Sequence, residues 1–278
     1  ALMVELKQFA SLDPGEPPMG IGMRDLGVKA PATHRLNVGA WDAPLEQVQP
    51  GFLSIIDSSE PRIVPPAGGT STGRRTALAN WIASPQNPLT ARVMVNRLWH
   101  YHFGEGIAPS PSDFGIMGGK PSHPELLDWL ASEFVSSGWD MKKMHKLMVT
   151  SNTYCQSSAF NEAAAHADPH DKLLWRYPRE RLEGEVIRDS ALAVSGLLNE
   201  KMGGPSVFPE LPEGAGKPRG GWKVSEERER DRRSVYVFVR RNARYPMLEA
   251  FDMPDTHESC GRRNQTITAP QAMSLLNG

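Results

Sequence analysis

The chain has 278 residues, of which 39% are hydrophobic and 23% charged, proportions typical of a globular protein. Its 31 Lys and Arg residues nearly balance its 32 Asp and Glu residues, and the resulting net charge of −1 argues against a dedicated nucleic-acid binder. No run of about 18 apolar residues occurs, so the sequence predicts no membrane-spanning segment.

Residues 1–72 are predicted to form an irregular, β-containing segment. The opening "ALMVELKQFA" reads as the end of a helix from a preceding region, and stretches such as "EPPMGIGMRD" and "IVPPAGGTSTG" indicate turns. A strand is predicted at His34–Val38. The chain opens without Met and closes on "APQAMSLLNG", a helix that has barely begun, so we expect a piece of a longer protein.

Residues 73–278 are predicted to form a mainly helical domain that is truncated at its C-terminus. A first helix in "GRRTALANWIAS" presents Leu78, Trp81 and Ile82 on one apolar face. A second runs from the Pro88 region to about Phe103, where glycines end it. The sequence predicts an α-helical bundle with a small β element.

Further helices are predicted along the rest of this domain. Ser122 and Glu125 suggest a capping box for a helix whose apolar face is Leu126, Leu127, Leu130 and Phe134. Asp140 is predicted to cap the next helix, which places Met141, Met144, Leu147 and Met148 on one side. A long helix is predicted at about 178–198, with Leu182, Val186 and Ala193 as its buried apolar row, and short ones are predicted at 246–250 and from residue 269 onward. The stretch "RRSVYVFVRR" is the clearest predicted strand.

The helix in "NPLTARVMVNRLWHYHFGEG" is polar or aromatic on almost every side, which is typical of a central helix with paired polar groups. Together with the long helix it predicts one ion network, formed by Arg92, Arg97, Glu185, Arg188 and Asp189. Three interpretations remain open. The network is a structural polar core, or it lines an anion- or sugar-binding cleft, or it contains a catalytic carboxylate pair of Glu185 with Asp189 or Asp113.

The histidines and cysteines show no spacing that requires a metal or a cofactor. His100 and His102 point to different sides of a helix, and no CxxCH motif for covalent haem occurs, so we expect neither a metal site nor a cofactor. Cys155 and Cys260 form one disulfide or, as we favour, two small buried thiols.

The tryptophans raise the question of carbohydrate stacking. Most lie on apolar helix faces, where packing in the core is the ordinary role. Trp222 differs because it lies in the glycine-rich stretch "GKPRGGWKVSEE", and it is predicted to be the exposed tryptophan that stacks on a ligand.

Long blocks of the sequence resemble the planctomycete-type secreted domain, a domain of unknown function that often accompanies a cytochrome c-like domain in large proteins. The blocks include "NPLTARVMVNRLWHYHFGEGI", "RLEGEVIRDSALAVSGLL", "RRSVYVFVRRN" and "FDMPDTHESCGRRNQTITAPQAMSLLNG", and the resemblance covers about residues 30–278. It implies export to the periplasm or the exterior, in bacteria that degrade complex polysaccharides. It carries over no catalytic mechanism. The segment before Gly73 is less similar, with "RLNVGAWD" where the family often has an Arg-Gly-Asp-like turn.

Three functions are therefore expected, in order of preference. The first is a binding or scaffold module for polysaccharide at the cell envelope, with a groove between the Arg92 helix and the Arg181 helix. Its candidate ligand-binding residues are Arg92, Asn96, Arg97, Arg181, Arg188 and Trp222. The second is a glycan-acting enzyme, with candidate acid or base residues Asp113, His123, Glu185 and Asp189. The third is a purely structural role among other domains of a larger protein.

Overall fold

A computed structural model describes residue 20 and residues 22–212, 221–241 and 243–277. Within these residues the protein is mainly helical with one small antiparallel sheet, so the predicted fold class is confirmed. The chain divides into two compact units, with the boundary between Thr90 and Ala91. The predicted division into domains after residue 72 stays a prediction.

The described elements begin with two strands and continue as helices. The strands are β1, Thr33–Leu36, and β2, Pro44–Val48. The first five helices are α1, Arg74–Ile82; α2, Thr90–Phe103; α3, Pro124–Ser136; α4, Met141–Val149; and α5, Asn152–Cys155. The remaining helices are α6, Glu162–Ala167; α7, Gly184–Val194; α8, Glu227–Arg230; α9, Pro246–Ala250; and α10, Ala269–Asn277.

The sheet of the first unit is a short exposed hairpin. Thr33 lies opposite Val48 in antiparallel register, and an irregularity follows His34. The predicted strand is confirmed as far as Leu36, but Val38 lies in a 3-10 turn with a φ of 48°. A β-branched residue is unfavourable at positive φ, so the strand cannot continue through this position.

Helix α1 packs through its tryptophan rather than through the whole predicted apolar face. The Trp81 ring stacks on Phe52 at 4.8 Å, and its Nε1 donates a hydrogen bond to Asp57 at 3.1 Å. Leu78 and Ile82 remain exposed. The helix is confirmed, whereas its apolar face is buried only in part.

The core of the second unit forms around α2, with α3 and α4 against it. Buried apolar side chains from all three helices make one cluster that includes Val95, Leu98, Phe103, Leu127, Leu130, Phe134, Met144 and Met148. The predicted apolar faces of α3 and α4 therefore reach the core, although Met141 and Leu147 stay exposed. Burial of each large side chain contributes roughly 1.5–3 kcal/mol.

The predicted helix caps are right at α4 and wrong at α3. Asp140 accepts a hydrogen bond from the Lys143 backbone N–H at 3.1 Å, as predicted. At α3 the N-cap is His123, and no side chain caps the helix. Because Pro124 occupies the first helical position and has no N–H to be capped, the helix begins one residue later than the Ser122 capping box requires.

Helix α7 is shorter than predicted and buries a different face. It begins at Gly184, where an added Cβ would lie 2.9 Å from Cβ of Phe251, so its first turn lies close against α9. Its buried residues are Gly184 and Arg188, whereas Val186, in the predicted apolar row, is exposed. The predicted start near residue 178 and the predicted buried row are both wrong.

The stretch predicted as the clearest strand is a 3-10 turn at Ser234–Tyr236 followed by single β-bridges. Val207 donates its N–H to the Tyr236 carbonyl at 2.8 Å and accepts from the Phe238 N–H at 2.9 Å. The segment around Val207 thus pairs with the predicted strand through this one residue only. Without a longer partner the alternating valines cannot form a ladder, and the strand prediction is wrong.

Candidate functional site

Asn96 shows how the polar residues of α2 are used inside the second unit. Its fully buried amide donates to the Ala108 carbonyl at 2.9 Å and accepts from the Ala108 N–H at 2.8 Å. The amide thereby pairs with the backbone of the loop that follows α2, as a neighbouring strand would. The predicted central role of this helix is confirmed at Asn96, as a structural contact and not as a ligand contact.

The predicted single ion network is wrong, because its members belong to separate contacts. The Arg92 Nε lies 2.7 Å from Asp128 on α3, and Arg97 is exposed. Glu185 accepts two hydrogen bonds from Arg263, at 2.7 and 3.1 Å. Helical spacing alone could not show that α7 turns Glu185 towards the region around residue 263.

Arg188 and Asp189 join a second, buried contact around the segment 230–236. Arg188 donates to the carbonyls of Arg230 at 2.6 Å and Arg232 at 3.0 Å, while Asp189 accepts from the Ser234 N–H at 2.7 Å. The two side chains approach each other only to 3.9 Å. These groups stabilise the packing of α7 on the segment.

Arg232 completes this contact and is fully buried. Its guanidinium donates to the carbonyls of Pro205 and Lys201, both at 3.1 Å, and to that of Gly203. It also lies over the Tyr236 ring at 3.8 Å. Because carbonyl groups and an aromatic face surround the cation, this part of the molecule is a polar core rather than a ligand site.

One cleft of the second unit, here named the main cleft, lies at the C-terminal end of α2 and has a volume of about 320 Å³. Two chain segments, 104–123 and 170–180, form its walls with α2. The polar and aromatic side chains in these walls are Trp99, Glu105, Lys120, His123, His170, Lys172, Arg179 and Glu180. Its size is at the lower end of the range for small-molecule sites.

Three cations at the main cleft, Lys120, Lys172 and Arg179, are here named the cleft cations. All three are exposed, and none has a hydrogen bond or an ion pair within the described part of the chain. Asp171, by contrast, lies 3.5 Å from Arg176, although its Oδ1 is buried without a hydrogen-bond partner. The cleft therefore presents three cations without a direct partner among the described residues, beside the carboxyl groups of Glu105, Asp171 and Glu180.

The loop that presents His170 and Lys172 is held tightly by its neighbours. The Asp168 carboxylate accepts from the Leu173 N–H at 2.8 Å, and the Asp168 carbonyl accepts from the Trp175 ring nitrogen at 3.0 Å. Asp171 adopts a φ of 54°, in the left-handed region. These contacts fix the direction in which the loop faces the cleft.

A second cleft of about 250 Å³ adjoins the main one, and the two share Gly104, Glu180 and Gln265. The arginines that line the second cleft already form ion pairs with carboxylates. Arg181 lies 2.5 Å from Asp252, and Arg263 bonds Glu183 and Glu185. Arg181 nevertheless keeps two buried guanidinium nitrogens, Nε and Nη1, without a hydrogen-bond partner.

The carboxyl and imidazole groups around the two clefts have shifted pKa values. Burial, and then the neighbouring charge of Glu183, raise the pKa of Glu180. Burial lowers the pKa of His100, and Arg262 lowers it further. Burial opposes ionisation of Glu185 too, but the hydrogen bonds and charge of Arg263 hold its pKa below the ordinary value.

A third cleft, of about 420 Å³, lies between α9 and the segment 252–264. Arg244 pairs with Asp255 at 3.1 Å, and Asp255 also accepts from the His257 N–H at 2.9 Å. The hydrogen bonds to His257 and the charge of Arg244 lower the pKa of Asp255 to about 2. Because several of its opposite charges pair with each other, this cleft has less free charge for a ligand.

The candidate catalytic residues lie in different places. Asp113 is exposed and accepts from the Gly115 N–H at 2.8 Å, whereas Asp189 and Glu185 are engaged as described above. His123 lines the main cleft. Among the candidate ligand residues, Arg181 lines the second cleft, while Arg92, Asn96, Arg97, Arg188 and Trp222 line neither the main cleft nor the second.

Trp222 and the cysteines differ from their predictions. Trp222 is half-buried, packs edge-on against Phe208 at 5.1 Å and donates to the Pro209 carbonyl at 2.7 Å. The most exposed tryptophan is Trp41, at 86%. Most of the glycine-rich stretch before Trp222 lies outside the described residues. Cys155 and Cys260 are both free and exposed, so neither the disulfide nor the buried thiols are found.

The described residues contain neither a cluster suited to a metal ion nor a helix suited to crossing a membrane. No group of three or more His, Cys, Asp or Glu side chains there is arranged to hold a metal ion. Likewise, none of the helices seen in those residues has the length and apolar character needed to cross a membrane.

Sequence reasoning missed most of the main cleft, including Lys120, His170, Lys172, Arg179 and Glu180. The available signal was weak. "DPHDK" and "PRERLE" place charges next to prolines, as exposed loops do, and Gly104 ends the central helix nearby. Nothing in their spacing indicates that these loops meet the end of α2.

These features define a mainly helical protein with a charged cleft at the C-terminal end of its central helix. Residues 74–278 match the family described as PSD1, a protein of unknown function (DUF1553). The match covers well over half of the chain, and the protein belongs to this family. No curated protein and no solved structure matches the chain.

Proposed function

We propose that the protein is a binding module whose main cleft takes an acidic segment of a polysaccharide. The observation that carries this proposal is the set of cleft cations around a cavity that also contains Trp99. Exposed Lys and Arg side chains without internal partners are free to bind carboxylate or sulfate groups.

The shape and composition of the main cleft support a sugar ligand. The cleft opens to solvent, so part of a longer chain bound in it can remain outside. His123, Ser122 and Gln265 supply groups for hydroxyl hydrogen bonds, and Trp99 supplies an apolar ring surface. A few polar groups beside an aromatic surface are the usual means by which a pocket orients its ligand.

Export and a role at the cell envelope are part of the same proposal. Their support is the resemblance of the sequence to planctomycete-type secreted domains, in proteins associated with polysaccharide use. Fractionation of cells that produce the full-length protein tests this part. Recovery in the cytoplasm alone would contradict it.

A glycan-acting enzyme is the second candidate, and Glu180 is the observation that favours it. A carboxyl group with a raised pKa in a cleft has the property required of a general acid. Incubation of the protein with the bound glycan, followed by product analysis, distinguishes the two functions, since a binding module releases no shortened product.

The test of the binding module removes the cleft cations. A variant with Lys120→Ala, Lys172→Ala and Arg179→Ala is titrated with an oligogalacturonate, a carboxylated glycan, by calorimetry. If each exposed pair contributes about 0.2–1 kcal/mol, the affinity falls by on the order of tenfold.

The matched control removes the same charge elsewhere in the second unit. Arg97→Ala, Lys142→Ala and Lys146→Ala change three exposed cations outside the cleft. This variant is expected to bind like the unmodified protein. Equal losses in both variants, or equal binding of a neutral oligosaccharide, would contradict the proposed site.

A further inference from the structure

We propose that Glu180 determines the ligand specificity of the main cleft by holding a proton that it donates, in a hydrogen bond, to an acidic group of the ligand. Ligand binding is then coupled to the uptake of one proton. This inference rests on the proposed function, because it requires an anionic ligand in the cleft.

The position of Glu180 is the first support. Its side chain lines the main cleft and the second cleft, and it lies on Gly104, the residue that follows α2. An added Cβ at Gly104 would lie only 1.5 Å from Oε1 of Glu180, so the carboxyl group directly contacts the helix end. Gly104 also has a φ of 76°, which favours glycine.

The end of α2 disfavours a negative charge at this point. The last carbonyl groups of a helix carry partial negative charge, and a carboxylate beside them is repelled. One of these carbonyls, at His102, accepts a hydrogen bond from the Tyr177 hydroxyl at 2.9 Å. No described contact supplies a compensating cation to the Glu180 carboxyl group.

The cations of the second cleft form their ion pairs with carboxylates other than Glu180. Arg263 bonds Glu183 and Glu185, and Arg181 bonds Asp252. Glu183 adds a further negative charge beside Glu180. The side chain is exposed at the surface of the cleft, and its partial desolvation there, followed by this charge, raises the pKa of Glu180.

Other titratable and charged groups face the same two clefts. Any test must distinguish their effect on binding from that of Glu180. Besides the cleft cations, the main cleft presents Glu105, His123, His170 and Asp171. The second cleft presents His100, Tyr101, Arg181, Glu183 and Arg263. Histidine is the side chain whose charge ordinarily changes near neutral pH, so a variant at Glu180 itself is needed to separate its effect.

The chemistry of the carboxyl group gives the direction of the effect. A protonated carboxyl donates a short O–H···O⁻ hydrogen bond to a ligand carboxylate or sulfate, whereas an ionised carboxyl repels it. The bound anion therefore raises the pKa of Glu180 further. By linkage, affinity increases as the pH falls through the range between the bound and free pKa values, by at most tenfold per pH unit for one proton.

The experiment is calorimetric titration of the whole chain with oligogalacturonate in two buffers of different ionisation enthalpy. The difference between the buffers counts the protons taken up on binding. We expect net uptake in the unmodified protein and a loss of up to one proton of uptake in Glu180→Gln. Gln keeps the shape and a donor, so this variant is expected to bind with a shallower dependence on pH.

Glu125→Gln, at an exposed residue of α3 that does not line the cleft, is the matched control and is expected to keep the proton uptake. Unchanged uptake in Glu180→Gln would overturn the inference and assign the protons to the histidines, while the binding module would stand. Absence of binding in the unmodified protein would overturn the proposed function, and this inference with it. Thermal unfolding of each variant establishes that it folds.

Discussion

Asn96 shows what one buried amide can hold in place. Its two hydrogen bonds to Ala108 position the loop that starts at Gly104 and forms one wall of the main cleft. Gly106 is required nearby, since an added Cβ would approach Nδ2 of Asn96 at 2.7 Å. The residue thus connects the core of α2 to the shape of the candidate site.

Replacement of Asn96 is expected to destabilise the protein. Asn96→Ala leaves the Ala108 N–H and carbonyl buried without partners, at a cost of about 2–4 kcal/mol in the free energy of unfolding. Urea unfolding measures this change. Arg97→Ala, at the exposed neighbour, is the control and should change the free energy by less than about 0.5 kcal/mol. A similar small effect of Asn96→Ala would contradict the structural role.

Arg232 is expected to be equally sensitive, for a different reason. Arg232→Met retains an apolar side chain but leaves the carbonyls of Pro205, Lys201 and Gly203 without their donor. The loss is on the order of 3–5 kcal/mol, as for other broken buried charge contacts. Chemical unfolding of this variant beside Arg233→Met, at the neighbouring arginine, provides the comparison, and equal stabilities would exclude the buried role.

At the scale of elements, α2 and α4 meet through a pair of histidines. The His102 Nε2 and the His145 Nδ1 lie 2.8 Å apart, so one nitrogen donates and the other accepts. Tyr154 packs edge-on against His102. Burial, and then the charge of His145, lower the pKa of His102.

This contact predicts acid-sensitive stability. Because the pKa of His102 is lower in the folded than in the unfolded state, the unfolded state binds more protons. The stabilisation is therefore complete above the ordinary histidine pKa of about 6.5 and is lost as the pH falls below it. His145→Gln is expected to reduce the difference in unfolding free energy between about pH 7 and pH 5.5, since it removes the neighbouring charge.

The control for the histidine pair is His166→Gln, at an exposed residue of α6. It should leave the pH dependence of stability as it is in the unmodified protein. His100, whose pKa is also lowered, contributes acid sensitivity of its own, so the effect of His145→Gln is partial. No difference between the two variants would refute the contribution of the pair.

Helix boundaries could be predicted where local chemistry decides them. The glycine after α2, the aspartate before α4 and the prolines at the starts of α3 and α9 act within one turn, and the helices lie where these signals place them. The start of α7 and the strand at 235–239 could not be predicted in the same way. The start of α7 depends on packing against α9, and the strand depends on a pairing partner that is too short.

At the scale of the whole molecule, each compact unit is held by its own contacts, and the main cleft belongs to the second. The cleft brings together the end of α2, the loop 104–123 and the segment 170–180, which are far apart along the chain. Its cations and Glu180 become neighbours only in the folded chain. The candidate site therefore could not be read from spacing, whereas the apolar faces of α3 and α4 could.

The sequence by itself determined the mainly helical class, most helix positions and the family, because apolar periodicity, caps and long matching blocks are properties of neighbouring residues. Only the tertiary structure decided which charges pair. Arg92, Arg97, Glu185, Arg188 and Asp189 were predicted to form one network. Arg92 instead pairs with Asp128 and Glu185 with Arg263, while Arg188 and Asp189 both bond the segment 230–236. The same packing left the cleft cations without partners, because the free energy of a charge depends on the groups around it in space and not on its neighbours in the chain.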